Sequence, residues 1–332
     1  ISSTGKFVKL FEYKFRKYLN CKYALSVSNG TSALQLALMS IGIKPGDEVI
    51  TTPFTFISTT EVLSLLGAVP VFVDIEQDTF NIDAEKIEEK ISDRTKAIIP
   101  VSLYGQVADM DKINSIAAKY NLIVIEDGAQ SFGATYKEKK SCNLSDFGCT
   151  SFFPSKPLGC YGDGGALFTN DDNLAEKSRM ILAHGSKVRY QHEVVGINGR
   201  LDAIQAAILN VKLKYFAEEV KKREEIGASY LELLKYKKVS LPVVKKNRTS
   251  VFAQFTVRST QREELTAELN ANGIPTAIYY PQPLHLQKCY ESLGYKVGDF
   301  PIAEKAAKEV FSLPMSPFLK QEDIVFICQN IS

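Results

Sequence analysis

Stretches of four to seven apolar residues alternate along the first half of the chain with amphipathic stretches of helical period. FVKLFEYKFRKYL puts Phe7, Leu10, Phe11, Phe15 and Tyr18 at helical spacing. ALSVS (residues 24–28) reads as a short buried strand running into a turn and a helix, NGTSALQLALMSIG. DEVITTP predicts a strand followed by a helix through Leu66, and VPVFVDI a strand followed by a helix over 84–91. KAIIPVSLYG predicts a strand before a helix over 110–120, and NLIVIEDGAQ the next strand. Apolar strands alternating with amphipathic helices imply an α/β fold with a doubly wound, mostly parallel sheet. Ligands of such sheets sit at the carboxyl ends of the strands. Those ends are residues 28–32, 52–56, 104–106 and 127–130.

Past Asn170 the pattern changes. It predicts a helix over 173–183, an irregular stretch, and one long helix from about Arg200 to Leu234. Strand SVFAQFTV and helix REELTAELNANG then belong to a smaller α+β unit. The expected division is a large domain over 1–229 and a small C-terminal domain over 230–332, which suits a chain of 332 residues.

Composition narrows the function classes. Apolar residues make up 45% of the chain, and the net charge of +2 comes from dispersed basic residues, which argues against a nucleic-acid partner. No apolar run has the length of a membrane span and no signal peptide is visible. Six cysteines without a C-x-x-C pair, together with three histidines, argue against a metal site. The expectation is a cytoplasmic protein with free thiols.

Five features carry candidate chemistry. Lys156 sits between Pro154 and Pro157 after two phenylalanines. An apolar, rigid turn disfavours an ammonium and leaves an amine able to form a Schiff base. Asn29-Gly30-Thr31-Ser32 lies between a strand and a helix, where free N–H groups suit a phosphate, although Asn, Ser and Thr also serve there as ordinary caps. Asp127 closes a strand and points into the expected crevice, where it could pair with a protonated ring nitrogen or form a plain salt bridge. Gln130 follows one turn later, and Phe56 could stack on a flat ring or pack in the core. Together these are the parts that pyridoxal phosphate (PLP) needs: a phosphate cradle, a stacking aromatic, an anion for the ring nitrogen and a lysine.

NGTSALQLAL, PFTFISTTEV, GAVPVFVDI, IEDGAQSFGA, SFFPSKPLGCYGDGGALFTND and GINGRLDAIQAAIL together resemble the DegT/DnrJ/EryC1/StrS sugar aminotransferases over nearly the whole chain. The resemblance implies the aspartate-aminotransferase-like (type I PLP) fold and a homodimer with shared active sites. It implies Lys156 as the Schiff-base lysine, Asp127 as partner of the ring nitrogen, Gln130 near the ring oxygen and Phe56 over the ring. Gly30, Thr31 and Ser151 would hold the phosphate, and Asn198 would reach the cofactor phosphate of the neighbouring subunit. Arg200 would contact that subunit's nucleotide-sugar, with His184 and the loop YYPQPLH, which holds His285, near the substrate; for His184 the competing role is the end of a helix, where its charge suits the dipole. The activity implied is transfer of an amino group from L-glutamate to a keto group of a nucleotide-linked sugar in surface-glycan synthesis. The run HGSKVRYQHEVVGINGRLDAIQAAIL is most similar to members acting on UDP-2-acetamido-3-keto-uronic acids. Relatives acting on dTDP-3-keto-6-deoxyhexoses or 4-keto sugars are the alternative, as is a catalytically silent regulatory or nucleotide-sugar-binding protein of this fold. Family members also carry a further N-terminal helix and a longer C-terminal one, so trimmed or disordered ends are expected here.

Overall fold

A computed structural model describes residues 5–331; the expectation about the chain's ends falls outside them. Helix α1 (Lys6–Leu19) leads into β1 (Tyr23–Val27), α2 (Gly30–Ser40), β2 (Glu48–Thr51), α3 (Ser58–Leu65), β3 (Val69–Phe72), β4 (Thr95–Ile98), α4 (Met110–Tyr120) and β5 (Ile123–Asp127). A short hairpin, β6 (Thr135–Tyr136) and β7 (Lys139–Lys140), precedes β8 (Phe147–Ser151) and β9 (Gly165–Thr169). Then follow α5 (Asp172–Leu182), the small pair β10 (Ser186–Val188) and β11 (Gln191–His192), α6 (Ala203–Lys212) and α7 (Phe216–Leu233). The C-terminal part holds β12 (Phe255–Arg258), α8 (Arg262–Ala271), α9 (Pro301–Glu309), β13 (Val310–Leu313) and α10 (Gln321–Gln329).

Seven strands form one sheet in the order β1-β9-β8-β5-β4-β2-β3. β3, β2, β4, β5 and β8 pair in parallel, and β9 runs antiparallel to both its neighbours. The mostly parallel sheet expected from the alternation is therefore present, with β9 as its reversed strand. Both faces are covered. Leu34, Leu38 and Val62 from α2 and α3 pack on Val27, Val49 and Leu167. On α1, Phe11 and Phe15 are fully buried against Phe152 and Phe132, with Phe15 and Phe132 ring centroids 5.8 Å apart. Of the apolar face expected for α1, Phe7 and Leu10 remain exposed, while Val8 and Leu19 are buried.

Three expected elements differ. Residues 84–91 form two 3₁₀ turns, Ala84–Lys86 and Glu88–Lys90, in place of a helix. The segment is short for a helix nucleus, and Glu85, Glu88 and Glu89 crowd one side with like charge. The single long helix expected over 200–234 is broken between Lys212 and Phe216. The break turns Phe216 inward, where its ring stacks on Phe132 at 5.7 Å. Residues 250–254, expected as strand, are irregular, and the strand is confined to Phe255–Arg258. Helix α7 runs through Tyr230, whose buried ring stacks on Phe255 at 4.6 Å and whose hydroxyl donates to Pro314 O at 2.8 Å. That helix therefore contributes Ile226 and Tyr230 to the C-terminal apolar cluster around β12 and β13.

Among the described residues no helix is long and apolar enough to cross a membrane, and no group of three or more His, Cys, Asp and Glu side chains could hold a metal ion.

Candidate active site

The carboxyl ends of β1, β5 and β8 meet at one cavity of about 490 Å³. At its floor β1 gives way to α2. Asn29 caps the helix, its Oδ1 accepting from Ser32 N at 2.7 Å, so Asn29 takes the ordinary capping role. The N–H groups of the first turn have no acceptor within the helix and carry its positive dipole end. A Cβ on Gly30 would lie 2.8 Å from Ser151 Cβ, and one on Gly165 would lie 2.5 Å from the carbonyl carbon of Asn29. Glycine at both positions lets the β8–β9 hairpin press against the start of α2. Gly30, Thr31 and Ser151 thereby line the same end of the cavity, a nest of N–H and hydroxyl donors suited to a phosphate.

Asp127 is locked into the sheet end: its N–H donates to Pro100 O at 2.9 Å and its carbonyl accepts from Ser102 N at 3.0 Å. Its carboxylate accepts from Thr59 Oγ1 at 2.9 Å and from Ala129 N at 3.2 Å. Both donors are neutral. Burial pushes the Asp127 carboxyl above its ordinary value, and the bonds from Thr59 and Ala129 and the charge of Lys156 only partly offset this. Lys156 projects from the turn after β8, its backbone N–H donating to Phe153 O at 2.9 Å. Burial lowers its ammonium below the ordinary lysine value, and the Asp127 charge works in the opposite direction. For both groups burial outweighs their mutual attraction. The site thus holds an amine and a carboxyl whose charged forms are both disfavoured by burial, so a cationic partner for Asp127 would be stabilising.

Gln130 joins two walls. Its Oε1 accepts from Tyr104 N at 2.8 Å, and its Nε2 donates to Tyr280 Oη at 3.2 Å. Phe56 is 54% exposed, so core packing does not account for it; its ring lies 6.3 Å from that of Tyr280. Seven expected residues therefore share the cavity: Gly30, Thr31, Phe56, Asp127, Gln130, Ser151 and Lys156.

Four others do not line it. His184 follows the end of α5 in the left-handed conformation (φ 60), with its N–H on Ile197 O at 3.2 Å, which fits the helix-end role. Asn198 bridges to Ala183 and accepts from Arg200 Nη2 at 2.9 Å. Arg200 pairs through its backbone with Val27, and its Nε is buried without a partner. His285, expected near the substrate, does not reach the cavity with its ring. The turn Leu284–Leu286 directs its ring inward, where it is 2% exposed, 4.7 Å from Phe300, with Nε2 3.1 Å from Glu304 Oε1. The segment expected to supply this histidine supplies Tyr279 and Tyr280 to the cavity instead.

Sequence reasoning placed the loop of Tyr279 and Tyr280 near the substrate without singling out either ring, and it missed Thr59 and Gln254. The pair Tyr279-Tyr280 before Pro281 was a usable signal for an aromatic loop; Gln254, inside an expected strand, had none.

Relatives carry the same architecture. The chain is 52% identical over 328 residues to a UDP-2-acetamido-2-deoxy-3-oxo-D-glucuronate aminotransferase of Pseudomonas aeruginosa, covering 99% of this chain and 90% of that protein. It superposes with a TM-score of 0.96 and 39% identity on S. venezuelae DesV in complex with a ketimine intermediate, covering 98% of this chain and 88% of that one. It superposes with a TM-score of 0.90 and 32% identity on NtdA from Bacillus subtilis with bound cofactor PMP, covering 98% and 78%. The model of the DegT/DnrJ/EryC1/StrS aminotransferase family matches residues 1–332, and with its type I fold and lysine–aspartate cavity the chain belongs to that family of sugar aminotransferases.

Proposed function

We propose that this aminotransferase uses PLP to move an amino group from L-glutamate to the 3-keto group of a UDP-2-acetamido-3-keto-uronic acid, in the cytoplasm, for surface-glycan synthesis. The observation that carries the cofactor assignment is the buried Asp127 carboxylate, held by neutral donors only and sharing a cavity with Lys156. A protonated pyridine nitrogen is the partner such a carboxylate lacks. The donor nest at Gly30, Thr31 and Ser151, lining the same cavity, fits the phosphate. The substrate class is supported by the 52% identity to the Pseudomonas aeruginosa aminotransferase.

The cofactor, when bound, supplies an electron sink and a carrier for the amino group. The chain's residues supply the rest. Gly30, Thr31 and Ser151 would bind the phosphate, Asp127 would hold the ring nitrogen's proton, and Phe56 would cover one ring face. Lys156 Nζ would anchor the cofactor's aldehyde carbon. Lys156 Nζ, whose ammonium burial holds below the ordinary lysine value, would also take a proton at the donor's Cα and deliver one at sugar C3. Asn198 and Arg200, outside their own cavity, would serve the site of a second copy in a homodimer. Phe7, Leu10, Tyr13, Ile204 and Val211, left exposed on the adjoining helices α1 and α6, support this.

The test is a two-stage assay. Protein supplied with PLP is mixed with L-glutamate while the cofactor absorbance is followed, and UDP- and dTDP-linked 3- and 4-keto sugars are then added with product detection by mass spectrometry. Amination of the UDP-2-acetamido-3-keto-uronic acid ahead of the others is expected. Preference for a dTDP-3-keto-6-deoxyhexose would reassign the substrate. Absence of any absorbance change or aminated sugar would leave a silent protein of this fold.

A further inference from the structure

The cavity has two unlike walls. Gly30, Thr31, Asp127, Ser151 and Lys156 come from strand ends and the start of α2, whereas Gln254, Tyr279 and Tyr280 come from the C-terminal part of the chain. Gln254 is the unexplained member of the second wall. Its Oε1 is buried with no hydrogen-bond partner among the described residues. A shielded amide oxygen left unpaired is unfavourable in the free protein, and nearly all such groups in folded proteins find a partner.

The backbone that carries Gln254 is held firmly. Val251 N–H donates to Gly105 O at 3.0 Å, and Phe252 N–H to Ser250 Oγ at 3.1 Å. Arg223, buried on α7, donates from Nη1 to Phe252 O at 3.2 Å. Gly105 (φ 118) comes so close that a Cβ there would lie 2.6 Å from Phe252 N. The same turn, Leu103–Gly105, supplies the N–H of Tyr104 to Gln130. An anchored backbone therefore carries a side chain whose shielded amide oxygen is unengaged, at the border of the cavity that holds the residues assigned to the cofactor.

We infer that Gln254 is a specificity-determining residue that pairs with a neutral hydroxyl or acetamido group of the nucleotide-linked sugar; this rests on the sugar-aminotransferase reading above. A primary amide both donates and accepts, and so do hydroxyl and acetamido groups, whichever way the amide is turned. A carboxylate or phosphate only accepts and an ammonium only donates, so neither the charged groups of an amino donor nor the cofactor phosphate matches it as well.

The experiment compares the PLP-loaded wild type with Gln254→Met, which keeps the side chain's length without its hydrogen bonds, and with Gln254→Glu, which keeps an acceptor. Circular dichroism checks that each is folded. KM is measured separately for L-glutamate and for the keto-sugar, and affinity is measured for UDP-N-acetylglucosamine, which carries the acetamido group without the keto group. Gln254→Met is expected to raise the sugar KM and weaken UDP-N-acetylglucosamine binding about tenfold or more, with the glutamate KM within about twofold. Gln254→Glu should fall between Met and wild type. Equal rises in both KM values, or no change in either, would overturn the assignment. If the wild type aminates no sugar yet binds UDP-N-acetylglucosamine, the proposed reaction fails while Gln254 is still judged by binding: unchanged affinity in Gln254→Met would overturn it. A wild type that binds no nucleotide-linked sugar would overturn both.

Discussion

The two walls of the cavity are made by different physics. The first consists of strand ends and a helix start, where the backbone is committed to regular structure and side-chain direction follows from it. Asp127 closes β5, Ser151 closes β8 and Gly30 opens α2. The second consists of irregular backbone, in which Gln254 and the Tyr279–Tyr280 pair take their positions from contacts distant in sequence. Tyr104 Oη donates to Tyr279 O, and Tyr280 Oη accepts from Gln130. The first wall suits chemistry that needs fixed charges. The second suits discrimination among substrates, because its members can be exchanged without disturbing the sheet.

That contrast can be broken most directly at Lys156. Lys156→Ala should reduce kcat by at least about 10³-fold while leaving the fold intact, as single-turnover kinetics and circular dichroism would show. Normal turnover in this variant would remove the lysine from the mechanism. Asp127→Asn should lower kcat about 10²-fold, in the range of losing one preorganised electrostatic contact.

The same two residues make opposite contributions to the pH dependence of the cofactor-free protein. Asp127 is raised in the folded state, so folded protein binds more protons than unfolded above the ordinary carboxylate range. Its contribution to stability is full below that range and is lost as pH rises through the raised value. Lys156 is lowered, so its contribution is present above the ordinary lysine value and is lost as pH falls through the depressed one. Denaturant midpoints measured across pH for wild type, Asp127→Asn and Lys156→Met should show each variant abolishing its own slope. Identical profiles for all three would mean that burial does not control these groups.

Gly30→Ala should cost about 1–3 kcal/mol, because its Cβ would meet Ser151 at 2.8 Å, and PLP affinity should fall with it. On the second wall, Tyr280→Phe removes one hydrogen bond from Gln130 and should cost only about 0.5–1.5 kcal/mol, with a few-fold change in sugar KM and little in kcat. A kcat loss as large as that of Asp127→Asn would erase the distinction between the walls.

The first wall was readable in the chain because local rules place its residues. An apolar strand of five residues ending in Asp127 puts that carboxylate at a sheet end whatever the neighbours are, and Asn29 before α2 is a cap by residue type alone. His285 shows the opposite case. Its neighbours in sequence suggested a loop over the site, but Glu304 and Phe300 on and beside α9 offered its ring a polar and an aromatic partner in the interior. The break between α6 and α7 was likewise invisible, since residues 213–215 carry no glycine or proline. The aromatic cluster around Phe132 decides it.

The sequence by itself determined the α/β alternation, because periodicity, capping and strand ends act over a few residues, and its motifs carried the resemblance that pointed to the family and to Lys156 and Asp127. Only the tertiary structure decided which way β9 runs, where the helix after Arg200 breaks, and that Gln254 and Tyr280 complete the cavity while His285 does not. Those outcomes depend on burial and hydrogen bonding between residues as far apart as the 150 positions separating Gln130 from Tyr280, and no local pattern encodes such contacts.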